Sequence, residues 1–358
     1  MKILVSALEA SSSAHLRRLM EEFGAGEVEL CGIFDRDLSP WGAPLYSPSD
    51  FSVMGFVDVL KKLAFILKAQ NQMVELAASV DKILLLDSSS FHLPLAKKIK
   101  AKYPQKEIIY YILPQVWAWK PWRAKALEQH CDRLGAILPF EVGLYASKAE
   151  YVGHPLLDSI KRYKRGLEGE GIVFMPGSRR GEIRRIFPVF RALALEYFGD
   201  KKKILIVPKM HQGKDLGEIY GAGVEEEFEI SFDARESLLG AEFAFICSGT
   251  ATLEASLIGT PFVLGYRAKW LDYHIMRSFT DLRYIGLANI FYNAICGERA
   301  GRGQSSMHLE LVQEDFTPQK LFSAYEAMDR EEFFAKSREL LAYLKHGSAK
   351  TLAQWLRD

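Results

Sequence analysis

The chain has 358 residues, 49% of them hydrophobic and 25% charged, with a formal net charge of +1. That is room for about two globular domains of ordinary composition, which excludes a disordered chain, and so small a net charge gives no global field for a nucleic-acid partner, so any anion site must be local. Four scattered cysteines, Cys31, Cys131, Cys247 and Cys296, form no CxxC pair, which argues against zinc or a disulfide framework and for a reducing compartment, with all four as packing residues.

The opening MKILVSALEA is too short an apolar run for a signal peptide, and no stretch reaches the ~18 apolar residues of a membrane span. The expectation is a protein that is cytosolic or lies on a membrane surface. In chain order, KILVSA, ELCGIF, KILLLD, EIIYYIL and LGAILPF are short Ile/Leu/Val-rich runs separated by segments long enough for helices. This pattern predicts a parallel sheet with crossover helices. Within it, residues 56–68 put Phe56, Leu60, Leu63 and Leu67 at helical spacing beside Lys61, Lys62 and Lys68. Such a helix suits an anionic bilayer surface, or a core contact with a basic solvent side.

A polar, glycine-containing segment over 159–171 then reads as a linker, and a second series follows: GIVFMPG, KILIVP, FEISF, FAFICSG and PFVLGYR. After Thr317 only helical patterns remain. The expected organisation is α/β: two Rossmann-like parallel-sheet domains over 1–160 and 161–316 facing a central cleft, and C-terminal helices over 317–358 that pack back or are exchanged in a dimer.

Open parallel sheets bind ligands at the carboxyl ends of their strands, so the strand-to-helix turns carry the functional signal. No P-loop is present, and no GxGxxG follows the first strand, which removes the usual kinase and nicotinamide anchors. In FMPGSRRGE, Gly177 and Ser178 turn the chain and basic residues begin a helix. Positive charge there opposes the helix dipole unless an anion is bound, so Arg179 or Arg180 is a phosphate ligand or else half of a solvated pair beside Glu182. In CSGTATLEA, Ser248, Gly249 and Thr250 offer a second anion seat, and Glu254 one turn on can accept from a ribose diol or serve the helix dipole. Trp117, Trp119 and Trp122 can stack on sugar or acyl chains or fill a core. His154 in YVGHP is a catalytic candidate or a structural hydrogen-bonding group. Asp35-Arg36-Asp37 formally matches the DxD of metal-dependent glycosyltransferases, or is a solvated loop.

VMGFVDVL, LPQVWAWKPWRAKAL followed by ILPFE, YVGHPLLD, MPGSRRGE and SGTATLEASLIGTPFVLGYR, in this order, resemble lipid-A-disaccharide synthase, and the resemblance runs from Glu9 to Gln313. It implies an inverting glycosyltransferase of the GT-B type that needs no metal or cofactor. The implied reaction joins UDP-2,3-diacylglucosamine to 2,3-diacylglucosamine 1-phosphate (lipid X), giving the β-1,6 disaccharide phosphate and UDP. It further implies a peripheral enzyme on the cytoplasmic side of a Gram-negative inner membrane, dimeric with exchanged C-terminal segments. Matched to the family's motifs, Arg179 is the essential arginine, and Ser248, Gly249, Thr250 and Glu254 form the nucleotide stretch, with Gly177 and Ser178 beside it. Asn289 in GLANIF and Glu310 and Gln313 in LELVQ match donor-site runs, although Ala288 and Leu309 replace two family prolines. Ser11, Trp117, Trp119, His154 and the 56–68 segment fall to the acceptor and its lipid.

Two acidic motifs depart from the family. Its G-E-x-S-G-D is here Leu8-Glu-Ala-Ser-Ser-Ser13, and its D-A-P-D-F-N is Asp87-Ser-Ser-Ser-Phe-His92. Ser90 therefore stands where the family has a candidate catalytic aspartate, and a serine alone is no base at neutral pH. Glu9 and Asp87 are the remaining carboxylates, and motif position favours Glu9. The altered motifs leave two other readings: another GT-B enzyme, such as a UDP-N-acetylglucosamine epimerase, or an inactive nucleotide-sugar or lipid-binding protein.

Overall fold

The structure is a computed structural model that describes residues 1–52, 59–269 and 281–358, with the side chains of 10, 52 and 59–62 also outside the description. It divides into two compact units, one of residues 1–159 with 344–358 and one of residues 160–343.

In the first unit β1 (Lys2–Ala7), β2 (Glu29–Ile33), β3 (Lys82–Leu86), β4 (Ile108–Tyr111), β5 (Arg133–Ala136) and β6 (Ala149–Tyr151) form a wholly parallel sheet in the order β2-β1-β3-β4-β5-β6. The alternation of strand side chains explains how both faces are covered. Ile3, Val5, Leu84, Leu86 and Ile109 go to one face with Leu16 and Leu19 of the helix Ala10–Met20. Leu4, Ile83, Leu85 and Ile108 go to the other, with Met73, Leu95, Ile99 and Leu127 from three further helices. Strand order reverses between β1 and β3, and Ala7 pairs with Leu86 there. Glu9 and Asp87 thus leave adjacent strands at the switch point where α/β sheets bind ligands.

The second unit holds β7 (Ile172–Met175), β8 (Lys203–Ile206), β9 (Glu229–Ser231), β10 (Phe243–Ile246), β11 (Phe262–Tyr266) and β12 (Glu310–Val312), again parallel, in the order β12-β11-β10-β7-β8-β9. Its core is aromatic: Phe174 stacks on Phe245 with centroids 5.5 Å apart, and Phe190, Phe198 and Phe228 close around them. The reversal lies between β7 and β10, where Met175 pairs with Ile246.

The C-terminal helices separate. Pro318–Ala327 and Arg330–Tyr343 belong to the second unit, whereas Ser348–Arg357 belongs to the first. Asp158 of the YVGHPLLD run caps that last helix, accepting from the N–H groups of Gly347 at 2.5 Å and Ala349 at 3.2 Å and from the Ser348 hydroxyl at 2.6 Å. Leu352, Trp355 and Leu356 are buried against Leu16 and Leu19, and the Arg133 guanidinium covers the Trp355 ring at 4.2 Å. Trp355→Ala is expected to cost about 3–5 kcal/mol of unfolding free energy, the usual loss for a buried large aromatic, in urea titrations of the purified protein. A loss below about 1 kcal/mol, the range of an ordinary surface change, would mean that this helix contributes little to the first unit.

Candidate active site

In the second unit the two glycine turns expected from the sequence emerge side by side from β7 and β10. Gly177 has φ +104° and Gly249 φ +81°. A Cβ at Gly249 would meet nothing within 4 Å, so this glycine is required for its backbone angle rather than for space. At Gly177 a Cβ would lie 2.3 Å from the Glu182 carboxylate, which packs over the turn. The helices Arg180–Tyr197 and Thr250–Ile258 begin at these turns, and neither has a side-chain cap. Two sets of first-turn N–H groups, with the positive ends of two helix dipoles, are therefore neighbours at the switch point, an arrangement suited to a diphosphate. Ser178, Arg179, Gly249 and Thr250 are exposed there, and Ser248 is half-buried.

The geometry separates the two arginines. Arg180 reaches Glu218 at 3.4 Å, while Arg179, at the N-cap position, makes no ion pair among the described residues. Glu254 is half-buried one turn into its helix, with Oε1 2.6 Å from Nε of Arg235. Arg235 escapes sequence reading because it stands in an ordinary polar stretch, DARES. Tyr266, at the end of β11, is another such residue: burial and the Glu182 charge push its hydroxyl up, against the pull of Arg185 and Arg179.

The three remaining positions expected at the donor site, Asn289, Glu310 and Gln313, brace the 283–313 segment and the chain after β11. Asn289 is fully buried; its Nδ2 donates to His308 O at 3.0 Å and Glu310 Oε1 at 2.8 Å, and its Oδ1 accepts from Met307 N–H at 2.8 Å. Glu310 also accepts from the N–H groups of Ile285 at 2.8 Å and Gly286 at 3.1 Å. Burial raises its pKa, and these bonds oppose the rise. Gln313 holds φ +56° and accepts from Ala268 N–H at 2.8 Å, bracing the chain after β11.

In the first unit, Asp87 and Ser88 both have positive φ, +55° and +38°. Such strain in non-glycine residues persists only when the surroundings over-determine it, and here the Asp87 carbonyl accepts from Nδ1 of buried His92 at 2.7 Å and from the Tyr110 hydroxyl. His92 is held in turn by Ser6 Oγ at 2.8 Å, and burial pushes its pKa down to about 4. The turn brings the Ser88 hydroxyl to Glu9 Oε1 at 3.1 Å. Glu9 is exposed and Asp87 half-buried. Burial first, then the Glu9 charge, raises the Asp87 pKa. Ser90 is exposed on the first turn of the helix Ser89–Lys102, and Ser11 is exposed near the start of Ala10–Met20.

Trp117 donates from Nε1 to Glu141 at 3.1 Å, a fully buried acid whose pKa burial raises strongly. Trp119 is 46% exposed, with Lys120 Nζ over its ring at 4.2 Å, and Trp122 is 66% exposed. Neither is a core residue. His154 is buried; its ring Nδ1 accepts from Leu156 N–H at 3.2 Å and its backbone N–H donates to Lys345 O at 2.9 Å, and burial pushes its imidazole down to about 4. Both carboxylates of the DxD string face Arg17, Asp37 at 2.5 Å and Asp35 at 3.2 Å, and no group of three or more metal-ligating side chains occurs among the described residues. Phe56 lies outside the described residues, and of Leu60, Lys61 and Lys62 only the helical backbone of Val59–Leu76 is described. Leu63 and Leu67 on that helix are 52% and 45% exposed. No described helix is long and apolar enough to cross a membrane.

Comparison with known proteins identifies the family. The family profile described as lipid-A-disaccharide synthetase matches residues 3–353. A lipid-A-disaccharide synthase of Helicobacter pylori is 57% identical over 354 residues, covering 98% of this chain and 96% of the relative. One from Campylobacter jejuni is 42% identical over 373 residues, covering 99% of both. Among solved structures, MurG of Acinetobacter baumannii aligns with a TM-score of 0.59 at 10% identity over 99% of this chain and 98% of that one. The rhamnosyltransferase SpnG, complexed with thymidine diphosphate, aligns at 0.57 and 12% over the whole of both chains. At such identities the structural likeness shows the fold alone, the GT-B type with two Rossmann-like units. The profile and the near-complete sequence matches establish more: the chain belongs to the lipid-A-disaccharide synthase family of glycosyltransferases.

Proposed function

We propose that the protein transfers 2,3-diacylglucosamine from UDP to the 6-hydroxyl of 2,3-diacylglucosamine 1-phosphate, with inversion, forming the β-1,6 disaccharide 1-phosphate and UDP. The observation that carries the donor half is the pair of uncapped helix N-termini on adjacent strands, with Arg179 beside them. Departure of UDP develops charge on the diphosphate, and fixed N–H groups and a guanidinium stabilise that charge without reorganising. Glu254 is assigned to the ribose, and Asn289, Glu310 and Gln313 to the frame behind the donor. The acceptor hydroxyl must lose its proton as an oxocarbenium-like state forms. Asp87 is the base in this reading, with Glu9 and Ser88 setting its charge and position. Burial reverses the order that motif position favours, because a carboxylate with a raised pKa is the better proton acceptor.

Mass spectrometry of the products from the two acylated glucosamine substrates tests the proposal: the disaccharide phosphate and UDP are expected in equal amounts. UDP binding without product would leave a nucleotide-sugar-binding protein, and turnover of an unacylated UDP sugar would favour another GT-B activity.

The acceptor and product carry acyl chains, so the enzyme must meet them at a bilayer surface, here placed on the cytoplasmic side of the inner membrane. Exposed Leu63 and Leu67, with Lys68 exposed beside them, support the helix Val59–Leu76 as the docking element. Lys61, Lys62 and Lys68 exchanged for glutamate are expected to abolish co-sedimentation with anionic vesicles while leaving the melting temperature unchanged. Undiminished co-sedimentation of this variant would remove the helix from membrane binding.

A further inference from the structure

Glu254 is held before any ligand arrives. Its Oε1 accepts from Arg235 Nε at 2.6 Å, with the acid side chain 15% exposed against 39% for the arginine. The arginine is delivered by a turn that is itself tied down. Asp233 caps the helix Ala234–Gly240, accepting from the N–H groups of Arg235 and Glu236 at 3.1 Å each. Ser231 Oγ accepts from Asp233 N–H at 3.2 Å, and the Ser237 hydroxyl donates to Asp233 O at 2.8 Å with its oxygen also 2.8 Å from Ser231 Oγ. At the far end of this helix the Thr260 hydroxyl donates to Leu238 O at 2.7 Å, tying it to the turn that follows Thr250–Ile258. The backbone beneath Arg235 is thus fixed at both ends of a short helix, and its tip is fixed on Glu254.

Holding two long side chains in one geometry costs rotamer entropy. Taking the acid largely out of water adds a desolvation cost that offsets much of the attraction in the pair, so this tying is poorly explained by stability alone. It is explained if the acid must stand ready in one orientation, since ligand affinity rises when ordering costs are met in advance. We propose that Arg235 is a positioning residue for nucleotide recognition: by holding one oxygen of Glu254 it fixes the carboxylate so that the other accepts from the vicinal diol of a ribose. The proposal rests on the reading of Glu254 as the ribose ligand. It assigns sugar specificity to a pair contributed by two helices, not to Glu254 alone. Arg235→Lys retains charge but not the planar fork, so it should restore binding only in part.

Calorimetric titration with UDP and with 2′,3′-dideoxy-UDP tests this on the full-length wild type, Arg235→Ala, Arg235→Lys, Glu254→Gln and the double variant Arg235→Ala/Glu254→Gln. Melting temperatures control for folding. A charge-assisted hydrogen bond to a hydroxyl predicts a wild-type preference for UDP of about tenfold or more. Arg235→Ala should lose most of that preference while its affinity for the dideoxy nucleotide stays within about twofold. Arg235→Lys should fall between, and Arg235→Ala should add nothing in the Glu254→Gln background. If Glu254→Gln abolishes the preference and Arg235→Ala keeps it, the proposal fails and the ribose reading stands. If Glu254→Gln keeps the preference, the ribose reading fails and takes the proposal with it. Tighter UDP binding by Arg235→Ala would also overturn the proposal, because the arginine would then compete with the ribose.

Discussion

Arg179→Ala is expected to lower turnover by about 10²–10³-fold, the loss typical of removing one preorganised donor to a developing oxyanion. UDP affinity should fall less, because the guanidinium matters most when the sugar–phosphate bond has broken and the diphosphate carries its full charge. Three observations select this residue. It occupies the N-cap of an uncapped helix, it makes no ion pair among the described residues, and its neighbour Arg180 is directed to Glu218 instead. A guanidinium at the positive end of a helix dipole is unfavourable unless an anion completes the site. Arg180→Ala serves as the control and should remain near wild type. Rapid-quench measurement of the transfer step separates chemistry from release; near-wild-type transfer by Arg179→Ala would remove it from the mechanism.

Much of this was legible in the sequence, for a physical reason. A strand buried on both faces reads as an unbroken apolar run, and a glycine turn into a helix leaves a local signature, so the first five strands of each sheet in chain order and both glycine turns could be found from residue type alone. The sixth strands were not. Ala149–Tyr151 and Glu310–Val312 are three-residue edge strands, and polar residues at an edge break the apolar run that marks a strand. Long-range partners were hidden too. Nothing in DARES announces that Arg235 meets Glu254, and nothing in Ser6 or Tyr110 announces that they help fix the carbonyl of Asp87, directly or through His92, because these pairings exist only once the sheet has been assembled. The DxD string shows the converse: its two acids have metal-ligand spacing, but the fold places them around Arg17, as the solvated-loop reading expects.

The same hidden contacts determine the second large expectation. Asp87→Asn should reduce turnover by about 100-fold or more, the range for losing a general base, with UDP affinity preserved because the proposed donor residues belong to the other unit. Glu9→Gln should cost less and change the pH profile in a definite direction. A base works only when deprotonated, so kcat/KM falls as pH drops through its pKa. Burial and the Glu9 charge both raise that pKa in Asp87. Removing the Glu9 charge takes away the second cause, so the acid limb of the profile should move to lower pH in Glu9→Gln. A purely structural role for Glu9 would lower the whole profile without moving the limb. If Glu9→Gln proves the more damaging change, the proton goes to the end of β1 and motif position was the better guide. Ser90→Asp is the complementary measurement: Ser90 is exposed on the first helical turn after Asp87, so a restored carboxylate there should add little if Asp87 has taken over the proton. A marked rise in activity would show that the role was never fully transferred.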